Sequence, residues 1–320
     1  MSVLPGMTVG DAVALYERGE FGSIVSRRWS VTRAQLLRRH VLPIVGAATL
    51  LADLAPRHVL AIQRAVLVAG DSPTTANTVV FGALRALLRD AEVEGALVGG
   101  FRARLYAAIR RLRRNPVEDR SPFDARERVL VLERFRRRAA YFVPFITLAL
   151  GTGARPGELL GLRWADVDLA RRWIRIARSR EGGTLTPCKT VHSRREVAMT
   201  RLAATALSTL RRRPHDPADF IVLGQKGLPL DLHNFTNRVW RPTLRELAVR
   251  VAYRPFYATR HTFISEALMA GKSSAEVAAY CGTSVQVIQA HYYRFTGKAG
   301  QGWEGLMAPE LLDASLAVGR

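Results

Sequence analysis

The segment 152–164 contains an arginine that could bind a phosphate group. Arg155 follows a glycine turn at Gly153, and Glu158 comes three residues later, so both side chains share one face of a short predicted helix. The planar guanidinium of arginine can donate to two phosphate oxygens at once, and an adjacent carboxylate can orient it. The glycines could also indicate a nucleotide-binding loop, but no Gly-Lys-Ser/Thr run follows them. A surface ion pair at helical spacing is the structural alternative for this segment alone.

Three other segments, far apart along the chain, carry residues that could act on a phosphate. One lies on a predicted β-hairpin, and the other two lie in predicted helices near the C-terminus. Each is weak evidence by itself, because a surface lysine or a packed aromatic ring is the more common role of such residues. The segments are 188–197 with Lys189, 257–263 with Arg260, and 277–293 with the pair Tyr292 and Tyr293.

Taken together and in this order, the four segments resemble the catalytic boxes of the tyrosine recombinase (phage integrase) family. Arg155 and Glu158 match the first arginine box of that family. Arg260 matches the second phosphate-binding arginine, and His261 follows it as is often seen. The resemblance covers the second part of the chain nearly end to end, and it extends more loosely to the first part.

The resemblance also implies a nucleophile and a general acid. Tyr292 lies nine residues beyond Thr283, which is the family spacing for the tyrosine that attacks DNA, and this count favours it over Tyr293. Lys189 falls where the family has a hairpin lysine that protonates the departing 5′ oxygen. An ammonium can act in this way when neighbouring cations lower its pKa. A DNA backbone contact is the structural alternative for Lys189, and ring packing is the alternative for the tyrosine pair.

Two positions depart from the family pattern. Tyr257 occupies the place of a histidine, and Thr283 occupies the place of a histidine or tryptophan. A phenol and an alcohol can each donate a hydrogen bond to a phosphate oxygen, but neither is a neutral base at pH 7. We expect both residues to add hydrogen bonds to the site. A core aromatic at a helix start is the structural alternative for Tyr257.

The mechanism implied by the resemblance is a transesterification. Tyr292 forms a 3′-phosphotyrosine, Lys189 protonates the leaving oxygen, and Arg155 and Arg260 stabilise the charge of the transition state. The phosphotyrosine conserves the bond energy, so we expect no cofactor, no ATP and no metal. Two cysteines without a Cys/His cluster agree with the absence of a metal site.

The elements that would position these residues fall into two blocks. The first block has helical periodicity from Val9 to Leu112, including a helix capped by Ser30, a long helix that opens at Ser72-Pro73, and a last helix over Phe101–Leu112. Prolines at 116 and 122 then mark a linker. In the second block, alternation over Trp173–Arg178 and over 186–199 predicts a hairpin around Gly182-Gly183, and Phe220–Leu223 predicts a brief strand. Helices account for most of the rest.

We therefore expect a mainly α fold with a small antiparallel β-sheet in the C-terminal domain. Residues 1–118 would form a helical core-binding domain that contacts DNA, and residues 119–320 would form the catalytic domain with a C-terminal tail. By family resemblance, the two domains would close as a clamp around the duplex.

Charge points to a polyanionic partner. Lysine and arginine total 48 against 27 acidic residues, which gives a net charge of +21, and nucleic acid is the natural partner for such a balance. The longest apolar candidate, Tyr141–Gly151, is too short to span a bilayer, and the N-terminus does not resemble a secretion signal. We expect a cytoplasmic, nucleoid-associated protein without a membrane partner.

The expected partners are double-stranded DNA, three further copies of the chain in a tetrameric synapse, and, as a candidate, an accessory or directionality factor. Three other functions stay open from the sequence. These are a non-catalytic DNA-binding accessory protein on a recombinase scaffold, a monomeric enzyme like the type IB topoisomerases, and a helical transcription regulator.

Overall fold

The computed structural model describes residues 6–21, 27–113, 121–187, 194–211 and 216–292. By its internal contacts the chain divides into two compact units, Met1–Asp119 and Arg120–Arg320. Most of the described residues are helical, and short antiparallel strands occur only in the second unit among them. The predicted mainly α fold with antiparallel β-structure in the second part of the chain is therefore confirmed, but the strands form two small sheets where the sequence predicts one.

The first unit is built from helices. The chain also forms a single 3₁₀ turn at Leu51–Asp53 and a π-helical stretch at Thr78–Leu84, which joins two helices into one continuous rod. The helices are α1 (Val9–Arg18), α2 (Arg27–His40), α3 (Leu42–Val45), α4 (Pro56–Val68), α5 (Pro73–Asn77), α6 (Arg85–Val93) and α7 (Phe101–Tyr106).

The rod from α5 to α6 starts as the sequence predicts. The Ser72 hydroxyl accepts from the Thr75 N–H, and Pro73 occupies the first turn, where a missing N–H costs nothing. One stripe along the rod is buried in the core of the unit: Val79, Leu84, Leu87 and Leu88.

Two predicted boundaries in the first unit are wrong. Ser30 is not a helix cap, because α2 already begins at Arg27 and Ser30 is buried within it. The last helix ends at Tyr106 and does not continue to Leu112. Beyond α7, the backbone at Leu112 exchanges two hydrogen bonds with the side chain of Asn77, which replaces helical bonding there.

The second unit has nine helices among its described residues, together with 3₁₀ turns at Ala140–Phe142 and Trp164–Asp166 and a π-helical stretch at Thr236–Trp240. They are α8 (Ala125–Ala139), α9 (Val143–Thr152), α10 (Pro156–Leu160), α11 (Arg201–Leu210), α12 (Leu232–Phe235), α13 (Arg241–Arg245), α14 (Ala258–Met269), α15 (Ser274–Cys281) and α16 (Val285–Tyr292).

Helix α9 is the centre of the second core. From Phe145 to Thr152 every residue is buried, so the helix shows no polar face. Its C-terminal turn contacts α11 backbone to backbone, since a Cβ atom on Gly151 would lie 2.7 Å from the Ala203 nitrogen. This close packing fixes the chain just before the first arginine box.

Two small antiparallel sheets complete the second unit. One has the order β1-β2-β5 and the other pairs β3 with β4. The strands are β1 (Val167–Asp168), β2 (Trp173–Ile176), β3 (Arg178–Glu181), β4 (Thr184–Pro187) and β5 (Arg195–Ala198).

The predicted hairpin turn is present, but its strands are arranged differently. Gly182 and Gly183 both have positive φ, at 55° and 82°, and they connect β3 to β4. The alternating run Trp173–Arg178 is not one strand, because it divides at Ala177 between the two sheets. The strand predicted at Phe220–Leu223 forms only isolated bridges, to Arg163 and Pro229.

None of the helices in the described part of the chain has the length and apolarity needed to cross a bilayer.

Candidate active site

Arg155 stands at the start of α10, directly after the turn that ends α9. Gly153 adopts a left-handed φ of 58° in this turn, a conformation that favours glycine. The Arg155 backbone N–H donates to Glu158 Oε2 at 2.9 Å, and its Nη1 donates to Glu158 Oε1 at 2.8 Å. The arginine and the glutamate therefore form a closed pair on the first turn of the helix, as their spacing predicts.

Glu158 binds a second arginine that sequence reasoning did not select. Arg195, on β5, donates from Nη2 to Glu158 Oε2 at 2.9 Å and from Nη1 to Oε1 at 3.2 Å. Both side chains are almost fully buried. Burial alone would raise the pKa of Glu158, but hydrogen bonds and charge from Arg195 and Arg155 outweigh it and lower that pKa below its ordinary value. The carboxylate stays ionised between two guanidinium groups.

Three arginine side chains donate hydrogen bonds to the backbone carbonyls at the C-terminal end of α15. Arg195 Nε donates to the Tyr280 carbonyl at 2.7 Å, Arg260 Nη1 to the Cys281 carbonyl at 2.8 Å, and Arg155 Nη2 to the Gly282 carbonyl at 2.5 Å. The last carbonyls of a helix lack intrahelical partners and carry partial negative charge, so cations are stabilised there. Three consecutive carbonyls thus hold three guanidinium groups close together, which concentrates positive charge in this region.

Arg260 lies deepest of the three. It is 2% exposed, and its Nη1 also donates to the Gly153 carbonyl at 2.9 Å. The second arginine box is therefore anchored to the turn that precedes Arg155 as well as to α15.

Tyr292 is the last described residue of α16, and its hydroxyl is hydrogen-bonded to His261 Nδ1. The tyrosine is 4% exposed and the histidine 8% exposed. Tyr257 packs edge-on against the other side of the imidazole, with ring centroids 5.2 Å apart, and it is 39% exposed. A row of three rings, Tyr257, His261 and Tyr292, thus leads from the surface to a buried phenol.

A cavity of about 290 Å³ opens onto this row. Both the row and Arg260 border it, so a phosphate placed there could meet a guanidinium and a phenolic oxygen together. The lining residues are Tyr257, Arg260, His261, Ile264, Thr283, Val287, His291 and Tyr292.

The structure thus places seven of the predicted site residues in one region of the second unit: Arg155, Glu158, Tyr257, Arg260, His261, Thr283 and Tyr292. Lys189 and Tyr293 lie outside the described residues. The catalytic roles of all these residues, and independence from a metal, stay predictions.

The sequence offered no signal for Arg195. It directly follows another arginine, Arg194, and most of the 48 basic residues of the chain are arginines. What distinguishes it from them is its tertiary contacts, with Glu158, 37 positions away in sequence, and with the Tyr280 carbonyl.

The chain is similar in sequence to a curated protein. One curated relative, a "tyrosine recombinase XerC-like" protein of Caldanaerobacter subterraneus subsp. tengcongensis, is 27% identical over 172 residues. The matched segment covers 46% of this chain and only 43% of that relative.

Two solved structures are similar over most of their length. The Tn1549 transposon integrase in complex with a circular intermediate DNA has a TM-score of 0.73 at 19% identity, over 89% of this chain and 95% of that one. A lambda integrase tetramer bound to a Holliday junction has a TM-score of 0.65 at 15% identity, over 93% and 80% of the two chains. At these identities the likeness establishes the fold.

A family model establishes the relationship by sequence. The model of the phage integrase family matches residues 123–297, which is more than half of the chain. This match includes both arginine boxes and Tyr292. The chain therefore belongs to the phage integrase family.

Proposed function

We propose that the protein is a site-specific DNA recombinase that cuts and rejoins strands through a 3′-phosphotyrosine intermediate. One observation carries the proposal: the hydroxyl-bearing Tyr292 and the buried Arg260 border the same cavity, and Arg155 is bound to the adjacent Gly282 carbonyl. A nucleophile and a guanidinium group at one cavity, with a second guanidinium group bound beside it, are the parts that transesterification at a phosphodiester requires.

In the proposed reaction, Tyr292 Oη attacks the scissile phosphorus while Arg155 and Arg260 donate to the non-bridging oxygens. Their charge stabilises the pentacoordinate transition state, in which negative charge accumulates on those oxygens. Tyr257 and Thr283, both at the cavity, donate further hydrogen bonds to the phosphate. Glu158 keeps Arg155 in orientation.

The departing 5′ oxygen needs a proton, which we assign to Lys189. Cations close to a lysine lower the pKa of its ammonium and make it a better acid. The phosphotyrosine then accepts the 5′ hydroxyl of a partner strand, so neither ATP nor a metal ion takes part in the proposed cycle.

The whole protein would act on double-stranded DNA as a tetramer. The lambda integrase relative was captured as a tetramer on a Holliday junction, and the Tn1549 integrase on a circular intermediate DNA. We propose the same assembly for this chain, with residues 1–118 as the DNA-binding core-binding domain and residues 119–320 as the catalytic domain of a two-domain clamp. An accessory or directionality factor is a candidate partner.

Trapping a covalent complex tests the proposal. The probe is a pool of short duplexes with a randomised core and a nick that lets the cleaved fragment diffuse away, so that an adduct accumulates. We expect wild-type protein to retain DNA after denaturation, with Tyr292 identified as the modified residue by mass spectrometry. Tyr292→Phe should abolish the adduct, and Tyr293→Phe is the matched control that should retain it.

Two outcomes would contradict the proposal. Tight binding of the duplex pool without any adduct would indicate a non-catalytic DNA-binding protein. Relaxation of supercoiled plasmids of any sequence by a monomer would indicate a topoisomerase-like enzyme.

A further inference from the structure

We infer that His261 is the general base that removes the proton from Tyr292. The inference deepens the proposed function and rests on it. It is carried by the direct hydrogen bond between the imidazole Nδ1 and the Tyr292 hydroxyl, which is the atom that would attack phosphorus. In the tautomer with Nε2 protonated, Nδ1 is an acceptor directed at the proton that has to leave.

The neighbouring position 257 offers no base, which leaves position 261 as the candidate for that role. Tyr257 lies one helical turn before His261, at a spacing of four residues that puts both on the same face of the helix. Its phenol cannot accept a proton as a neutral base at pH 7. The neutral imidazole of His261 has an acceptor nitrogen that can. Tyr257 instead packs edge-on against the imidazole, with centroids 5.2 Å apart, and so limits its rotation.

His291 is the competing histidine at the cavity. It also lines the space and directly precedes Tyr292 on α16. Adjacent residues of a helix point in different directions, so its ring does not follow the Tyr292 side chain. His291 is exposed. His261 is 8% exposed, and its imidazole contacts the aromatic rings of Tyr257 and Tyr292. Burial and packing hold only His261 in one orientation toward the phenol.

The proposed step balances in protons and electrons. His261 Nδ1 takes the phenolic proton and becomes an imidazolium while the Tyr292 Oη–P bond forms and the P–O5′ bond breaks. The proton for the departing O5′ comes from a separate acid, assigned above to Lys189. On rejoining, the entering 5′ hydroxyl returns its proton to that acid. The leaving phenolate takes its own proton back from His261.

A first measurement tests the pairing without DNA. Tyrosines labelled with ¹³C at Cζ give a signal for Tyr292 that Tyr292→Phe identifies by its disappearance. We expect His261→Ala to shift this signal at neutral pH, because the phenol loses its acceptor, and His291→Ala to leave it in place. A Tyr292 signal unaffected by His261→Ala would overturn the inference.

A second measurement tests the base role, using the nicked duplex selected from the trapping pool. General bases contribute typically 10²–10⁴-fold, so His261→Ala should slow adduct formation by about 10²-fold or more. Free imidazole should restore part of the rate, because the shortened side chain leaves room for it beside the existing cavity. His261→Asn is the matched variant, since its amide can hold the phenol in place without taking a proton. It should be as slow as His261→Ala, and a wild-type rate would overturn the base role.

A change of leaving group distinguishes the role of the base from that of the acid. A duplex with sulfur in place of the bridging 5′ oxygen releases a thiolate, which needs no proton to depart. This substrate should rescue Lys189→Ala and leave His261→Ala slow, whereas rescue of His261→Ala would show that the histidine acts as the acid and would overturn the inference. If Tyr292 and His261 pair but wild-type protein forms no adduct on either substrate, the proposed function has failed, and the base role falls with it.

Discussion

At the scale of single residues, the site depends on one buried carboxylate. Glu158 accepts from Arg155 and from Arg195, and both arginines also donate to carbonyls at the end of α15. An ion pair this deeply buried contributes little net stability relative to apolar residues, but removal of one partner is costly because it leaves a buried charge. We therefore regard the arrangement as a device that holds Arg155 in position.

Arg195→Met tests this view. The variant keeps the bulk of the side chain but leaves Glu158 with one arginine, and we expect a loss of about 3 kcal/mol in the free energy of unfolding. Urea denaturation of the full chain in a Trp29→Phe background would measure it, since the fully buried Trp240 then reports on the second unit. Arg194→Met, at an exposed neighbouring position, is the matched control and should cost little.

The difference in unfolding free energy between wild type and Arg195→Met should depend on pH in a defined direction. The folded protein lowers the pKa of Glu158 from its ordinary value of 4.5. The stabilisation is therefore complete above that pH and is lost as the pH falls through the lower, folded-state pKa. The difference between wild type and Arg195→Met should shrink on acidification. A difference that stays constant would contradict the pairing of Arg195 with an ionised Glu158.

Residue identity and spacing were sufficient to predict some of these site residues from the sequence, but not others. Arg155, Arg260 and Tyr292 could be selected because each lies in a segment that resembles a catalytic box of the family, with Tyr292 nine residues beyond Thr283. Arg195 could not, because its role comes from a tertiary contact with Glu158. The pairing of His261 with Tyr292 could not be predicted from the sequence either, since it depends on how α14 and α16 pack together.

At the scale of elements, the glycine turn between α9 and α10 is under two constraints. Gly153 has a φ of 58°, and a Cβ atom there would overlap the ring of Phe263 on α14. Its carbonyl accepts from Arg260 at 2.9 Å. The turn therefore connects the first arginine box to the helix that carries the second.

Gly153→Ala should disturb both stability and activity. The left-handed conformation costs a residue with a Cβ about 1 kcal/mol, and the overlap with Phe263 adds about 1–3 kcal/mol of overpacking. Gly182→Ala is the matched control, because it has a similar φ of 55° but no atom within 4 Å of the added Cβ. Urea midpoints should show the larger loss for Gly153→Ala, and its adduct formation should fall as Arg260 moves. Equal losses for the two variants would contradict the contact with Phe263.

Element types were predictable to a greater extent than element ends. Helical periodicity and the start at Ser72-Pro73 were sufficient to predict the long helical rod of the first unit. The strand pattern over Trp173–Arg178 gave the correct period but not the division at Ala177, because alternation does not show which neighbour a strand pairs with. The end of α7 was missed because Asn77, distant in sequence, binds the backbone of Leu112.

At the scale of the whole molecule, charge would govern the proposed interaction with DNA. The net charge of +21 is carried mostly by arginines, whose guanidinium groups pair well with phosphates. Each phosphate that the protein neutralises releases condensed counterions, so affinity falls steeply as salt rises. This part of the binding energy does not depend on base sequence, and it should dominate binding to any duplex.

We expect the affinity of the full chain for a random-sequence duplex to fall roughly 10³-fold or more between about 50 and 200 mM salt, the range for proteins that make many phosphate contacts. Fluorescence anisotropy with a labelled duplex would measure the slope of log affinity against log salt. A duplex whose backbone carries neutral methylphosphonates is the matched control and should bind weakly, with a nearly flat slope. A flat slope for the natural duplex would mean that the basic residues do not face DNA, and it would remove the physical basis for assigning this charge to a DNA-binding surface.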